Sequence, residues 1–173
     1  MKALLIPTLI ALLSACGGGD ADHDHDHTEN TGGVLVAASL PDSFWSAEAS
    51  ADAINVFDLR DTAKSGDAVV VKGTVQDFVS NVAAFRLVED TLQSCDEIHG
   101  DSCKTPWDYC CADPVEVKRG TTLVEFQENG APGPWTIKGF HGLNHLSEVV
   151  VAGTVHIDDA QNLTIVADSI RNQ

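Results

Sequence analysis

The chain reads as all-β, a five-stranded closed barrel, and three observations predict it. Short runs dense in β-branched and aromatic residues recur at 69–75, 85–88, 122–126, 149–157 and 163–167. Turn-forming clusters separate the later runs, Glu128-Asn129-Gly130 and Asp158-Asp159-Ala160-Gln161-Asn162. The first and fourth runs nearly repeat one another, VVVKGTV at 69–75 and VVVAGTV at 149–155, each with a glycine inside a strong strand. An interior glycine weakens a strand and marks a bulge or sharp coil, which a small sheet needs in order to curl closed.

Each element has its own local reason. Residues 34–40 form a short apolar segment that Pro41-Asp42-Ser43 breaks. A short helix is expected between Asn55 and Lys64. Asn55 is suited to cap it, Asp58 follows three residues later, and Ile54 and Leu59 stand at the spacing of a hydrophobic staple. Ser65-Gly66-Asp67 ends it. Residues 135–138 are expected to pair back on the third strand across the Glu128-Asn129-Gly130 turn. A cysteine-rich insert, Cys95 to Cys111, falls between strands two and three.

The pattern V-x-V-x-G-x-V in strands one and four resembles that of bacterial OB-fold domains, the five-stranded Greek-key barrel. Residues 66–170 are similar to uncharacterised exported proteins of that type. The insert with Thr105-Pro106-Trp107-Asp108-Tyr109 is the most distinctive part of the resemblance. It implies ligand binding on a barrel face and attaches no activity.

Leu13-Ser14-Ala15-Cys16, behind Lys2 and an apolar run, resembles the lipobox of bacterial lipoproteins. The run is shorter than the roughly 20 apolar residues that span a bilayer, and it fits a signal-peptide core before a small-residue cleavage site. The resemblance implies cleavage before Cys16, a diacylglyceryl thioether on its sulfur and an acylated new N-terminus. Gly17 rather than Asp follows Cys16, which in a two-membrane cell implies the outer membrane, facing the periplasm. Four segments follow: a signal peptide at 1–15, a flexible acidic His/Asp tether at 16–33, an extension with the short helix at 34–65, and the OB-like domain at 66–173.

Charge narrows the partners. The chain carries 26 Asp and Glu against 10 Lys and Arg, and its net charge of −16 becomes −17 when Lys2 leaves. Such a surface repels phosphate backbones, so nucleic acid is excluded as a partner. The expected partners are the membrane, through the lipid, and an envelope protein or small ligand.

With Cys16 lipidated, Cys95, Cys103, Cys110 and Cys111 remain, an even number in an exported chain. That is the arithmetic of two disulfides. A bond between adjacent Cys110 and Cys111 would be strained, so each is expected to reach Cys95 or Cys103. Two other readings stand beside this one. Four thiolates are ligands for Zn or Cu(I), with His99 four residues before Cys103, although no C-x2-C pair is present. Redox chemistry has still less support, since no C-x-x-C occurs.

Other candidates are fewer. His23, His25 and His27 alternate with Asp24 and Asp26, as a solvated spacer or as ligands for Zn or Cu. His141 and His145 are four residues apart, as turn histidines or as a metal pair. Trp107 and Tyr109 pack over the cysteines or form a recognition surface. No nucleophile elbow, catalytic triad or phosphate loop occurs. Two functional expectations follow: a lipid-anchored envelope module with a binding or structural role, or a metal-binding lipoprotein using Zn or Cu.

Overall fold

The computed structural model describes residues 37–47, 52–100 and 102–173. The lipobox and His23, His25 and His27 lie outside the described residues. Five strands carry the fold: β1 (Ala68–Phe78), β2 (Ala84–Val88), β3 (Thr121–Glu125), β4 (Glu148–Ile157) and β5 (Leu163–Asn172). They close into a ring in the order β1-β2-β3-β5-β4, with β4 returning to β1. Every neighbouring pair is antiparallel except β3 and β5, which run parallel.

The two near-repeats pair with each other. Val71 faces Val151, Val69 faces Gly153 and Gly73 faces Val149, so the two segments are related by a local twofold. The glycines serve close approach. A Cβ on Gly153 would lie 2.3 Å from the Val166 carbonyl oxygen, and one on Gly73 would lie 2.5 Å from that of Val88. Gly153 stands at a register shift against β5, as an interior glycine suggests. On β1 the shift falls instead between Val75 and Asp77, past Gly73, so that Gln76 has no partner on β2.

Helix α1 (Val56–Thr62) follows Asn55, whose side chain accepts the Asp58 N–H at 2.7 Å. Val56 and Leu59 on α1 are fully buried. With Leu40 they share one core with Phe85, Leu87, Phe126, Leu143, Ile165 and Ile170. The described part of 34–65 is thus built into the core of the ring. Helix α2 (Pro114–Arg119) has Asp113 as its cap, accepting from the N–H groups of Val115 and Glu116, and stops at Gly120. α2 meets α1 through Arg119, which pairs with Asp61 at 2.8 Å and lies 4.6 Å over the Phe57 ring.

One pairing departs from expectation. Trp135 and Thr136 do not fold back on β3 but run parallel to Ala38 and Ser39. The tight hairpin is made by Gln127–Glu128 with Ala131–Pro132. Pro132 and Pro134 carry no N–H and cannot continue a ladder, so the chain leaves the hairpin there and reaches the N-terminal strap instead. β5 also runs five residues beyond its apolar stretch, because buried Ile170 keeps its outer half on the core.

Candidate functional site

The cysteine insert is held by backbone hydrogen bonds that close it on itself. Glu97 accepts the Ser94 N–H at 2.8 Å and the Ser94 hydroxyl at 3.1 Å, which fixes the turn carrying Cys95. The Cys95 N–H donates to the Asp108 carbonyl at 2.7 Å, and the Asp96 N–H to the Pro106 carbonyl at 2.8 Å. The first cysteine is thereby laid beside the segment that carries the last two.

Gln76 ties this insert to the ring. Because the irregularity in β1 removes it from the β2 register, its polar groups are spent elsewhere. Its side-chain amide donates to Asp108 Oδ1 at 3.1 Å, and its carbonyl accepts from His145 Nδ1 at 2.6 Å. Asp108 Oδ1 also accepts the Tyr109 N–H at 2.8 Å. The His145 ring lies on the Trp107 indole, 4.1 Å between centroids and 18° from parallel, with Phe78 edge-on at 5.2 Å. Nothing in the sequence singles out Gln76; a polar residue in a β-branched run is unremarkable until the bulge is known.

Three of the four sulfurs gather, and Cys103 adjoins them at Cys110. Cys110 Sγ lies 3.2 Å from Cys95 Sγ, 4.0 Å from Cys103 Sγ and 3.9 Å from Cys111 Sγ. Cys95 is buried, Cys103 half-buried, and Cys110 and Cys111 are exposed. The shortest contact, Cys95 with Cys110, joins one of the pairs expected as a bridge and is longer than the about 2.05 Å of a disulfide bond. The Cys110 sulfur and burial push the Cys95 thiol up to about 11. The Thr105 hydroxyl at 3.5 Å, together with the Thr105 backbone, holds the Cys103 thiol below its usual value. His99 is exposed.

Trp107 and Tyr109 part company. Trp107 is half-buried on His145. Tyr109 is only 4 % exposed, and burial, with the Glu97 charge second, pushes its hydroxyl up to about 12. Tyr109 is therefore packed within the insert, and it also lines the groove described below. His141 and His145 are not brought to a common point. His141 bonds Asp42 Oδ1 through Nε2 at 2.9 Å and stacks on Trp45 at 4.2 Å, whereas His145 turns to Gln76 and Trp107. Among the described residues, the ligand-type side chains that gather within 4.8 Å of one another are Cys95, Cys110 and Cys111.

A groove of about 1120 Å³ runs along β3, between Arg86 of β2 and Thr164 of β5. Its floor is a cross-strand row, Arg86 opposite Leu123 and Leu123 opposite Thr164. One wall is the insert from Asp108 to α2, and the other is the β4–β5 turn at 158–162. The lining charges balance: Arg60, Arg86 and Lys118 against Asp108, Glu125 and Asp158. Arg60 reaches the groove from α1 with its guanidinium donating to the Thr121 carbonyl, and burial lowers its pKa. Cys110 also lines the groove, so the thiol cluster forms part of its wall. Compared with known proteins, the chain matches no family model and no curated sequence.

Proposed function

We propose that the ring is an OB-type barrel carried by a lipid-anchored envelope protein, and that its β2–β3 face binds a polar chain-like ligand. The strand order with a single parallel pair, β3 with β5, supports the OB reading. The observation that carries the binding role is the groove floored by Arg86, Leu123 and Thr164 and closed at one side by the β4–β5 turn. OB-folds bind oligonucleotides and oligosaccharides on this face, with loops beside it. A net charge of −16 repels the first, and balanced lining charges suit the second. The ligand class is therefore an uncharged or zwitterionic oligosaccharide of the cell envelope. The lipobox Leu13-Ser14-Ala15-Cys16 supports the location.

Calorimetry of the mature full chain against envelope glycan oligomers tests this, beside Leu123→Arg, which plants a long charged side chain on the groove floor. Binding is expected for the wild type and is lost in the variant at unchanged melting temperature. Equal heats from both proteins, or no heat from either, refute the reading.

A second reading, an envelope lipoprotein that handles a metal ion such as Zn or Cu, is favoured by the convergence of the cysteine sulfurs on Cys110. In that reading the His23, His25 and His27 tail offers further ligands, and His141 and His145 offer none jointly, since each ring is engaged apart from the other.

A further inference from the structure

We propose that Cys95, Cys110 and Cys111, with Cys103 as fourth ligand, hold one thiophilic d10 cation, Zn(II) or Cu(I). This rests on the metal reading above and names its site and ion class. The argument is geometric. A metal–thiolate bond of about 2.3 Å sets the sulfurs of a tetrahedral site about 3.8 Å apart. The sulfur separations around Cys110 are 3.2, 3.9 and 4.0 Å, on both sides of that edge length. Cys95, Cys110 and Cys111 lie mutually within 4.8 Å, a three-sulfur face with Cys103 reaching it at Cys110.

The face is held before any ion arrives. The bonds from Cys95 N–H to Asp108 and from Asp96 N–H to Pro106 fix the two cysteine-bearing segments against each other. Asp108 is fixed in turn by Gln76, and Trp107 by His145. Ligands held by such outer partners lose less freedom on binding, which raises affinity. Thiolate donors select Cu(I) and Zn(II) over the hard cations that carboxylates attract, so the acidic surface does not compete for the same ions. Binding releases thiol protons as the metal–sulfur bonds form, with no change of oxidation state and no external oxidant.

The test uses the mature full chain, reduced and kept free of oxygen. It is titrated with Co(II) as a probe for the zinc geometry, and separately with Cu(I) held by a competing chelator. One ion per chain is expected in whichever arm matches the site. Co(II) is expected to give intense sulfur-to-metal charge-transfer bands with the visible spectrum of a tetrahedral thiolate complex. Cys110→Ser, which removes the sulfur touching the other three, is expected to weaken binding at least tenfold. Cys111→Ser, at an exposed position, repeats that measurement should the first variant fold poorly. Substituting His23, His25 and His27 with Ala is expected to leave the charge-transfer bands unchanged. The proposal is overturned if the reduced chain gives no sulfur charge-transfer signal with either ion, or if both cysteine variants bind as the wild type does. It is equally overturned if chain taken from its own host carries all four sulfurs in two disulfides. Metal binding lost only with the tail histidines would overturn this site while leaving the broader metal reading standing.

Discussion

His145 donates from Nδ1 to the Gln76 carbonyl at 2.6 Å while its ring lies on Trp107 at 4.1 Å. One imidazole thus fastens the cysteine insert, the 139–147 loop and the bulge of β1 to a single point. Trp107→Ala removes the stacked partner. Aromatic pairs add about 0.5–1.5 kcal/mol beyond their buried area, so a loss of about 1–2 kcal/mol is expected for this half-buried indole. Amide hydrogen exchange should separate this from a general loss: exchange at 95–112 rises well above the change at β4 and β5. Uniform acceleration across the ring would show that Trp107 does not clip the insert.

The glycine of the second repeat makes a sharper prediction. An alanine Cβ at 153 would sit 2.3 Å from the Val166 carbonyl oxygen and 2.9 Å from the Ala167 Cα, both backbone atoms that cannot turn aside. Gly153→Ala is expected to cost about 1–3 kcal/mol or more, the range for forced overpacking. Thr154→Ala, at the exposed neighbouring position, should fall within about 0.5 kcal/mol of the wild type. Urea unfolding of the two variants side by side decides it, and equal midpoints would remove the close-approach account of the repeat.

How much of this was legible in the sequence differs by element. The strands were, because runs such as VVVKGTV and VVVAGTV carry β-branched residues too dense for a helix surface. That the two repeats pair with each other, Val71 on Val151, was not, because pairing partners leave no mark in either run. Asn55 as a cap was legible, since a side-chain acceptor three residues before an N–H is local chemistry. The parallel pairing of Ala38 with Trp135 is long-range and was hidden; the prolines at 132 and 134 were its only sign. At the site, the four cysteines were plain, but their convergence on Cys110 depends on two backbone bonds that link residues 13 and 10 apart along the chain. Gln76 and the groove floor were invisible for the same reason: both depend on strand register.

The staple between α1 and the ring gives a third test. Leu59 is fully buried within the shared core, and Asn55 caps the same helix. Leu59→Ala is expected to cost about 2–5 kcal/mol through the cavity it leaves. Asn55→Ala should cost about 0.5–2 kcal/mol through the lost cap. If α1 were an appendage, Leu59→Ala would expose α1 alone to exchange and leave the ring's unfolding midpoint unmoved. A fall in the common midpoint, read by both circular dichroism and tryptophan fluorescence, is the expected outcome.

Glu89 offers a pH test with a definite sign. Its carboxylate is fully buried beside α1, accepting the Phe57 N–H at 3.1 Å and the Thr91 hydroxyl at 3.3 Å. Burial pushes its pKa above the ordinary 4.5, and the neighbouring Asp90 acts in the same direction, against the opposing pull of the Phe57 bond. A carboxyl whose pKa is raised on folding holds its proton longer in the native state than in the unfolded chain. Between the ordinary and the raised value the native state therefore binds more protons, and stability falls as pH rises through that window. Glu89→Gln keeps an acceptor for Phe57 and has no proton to lose. The variant and the wild type should be of similar stability near pH 4, with the variant gaining on the wild type as pH rises toward neutrality. Urea midpoints measured for both proteins across that range give the difference directly, so that the other carboxylates cancel. A difference that stays flat with pH, or a wild type that gains instead, would mean that burial does not govern this group.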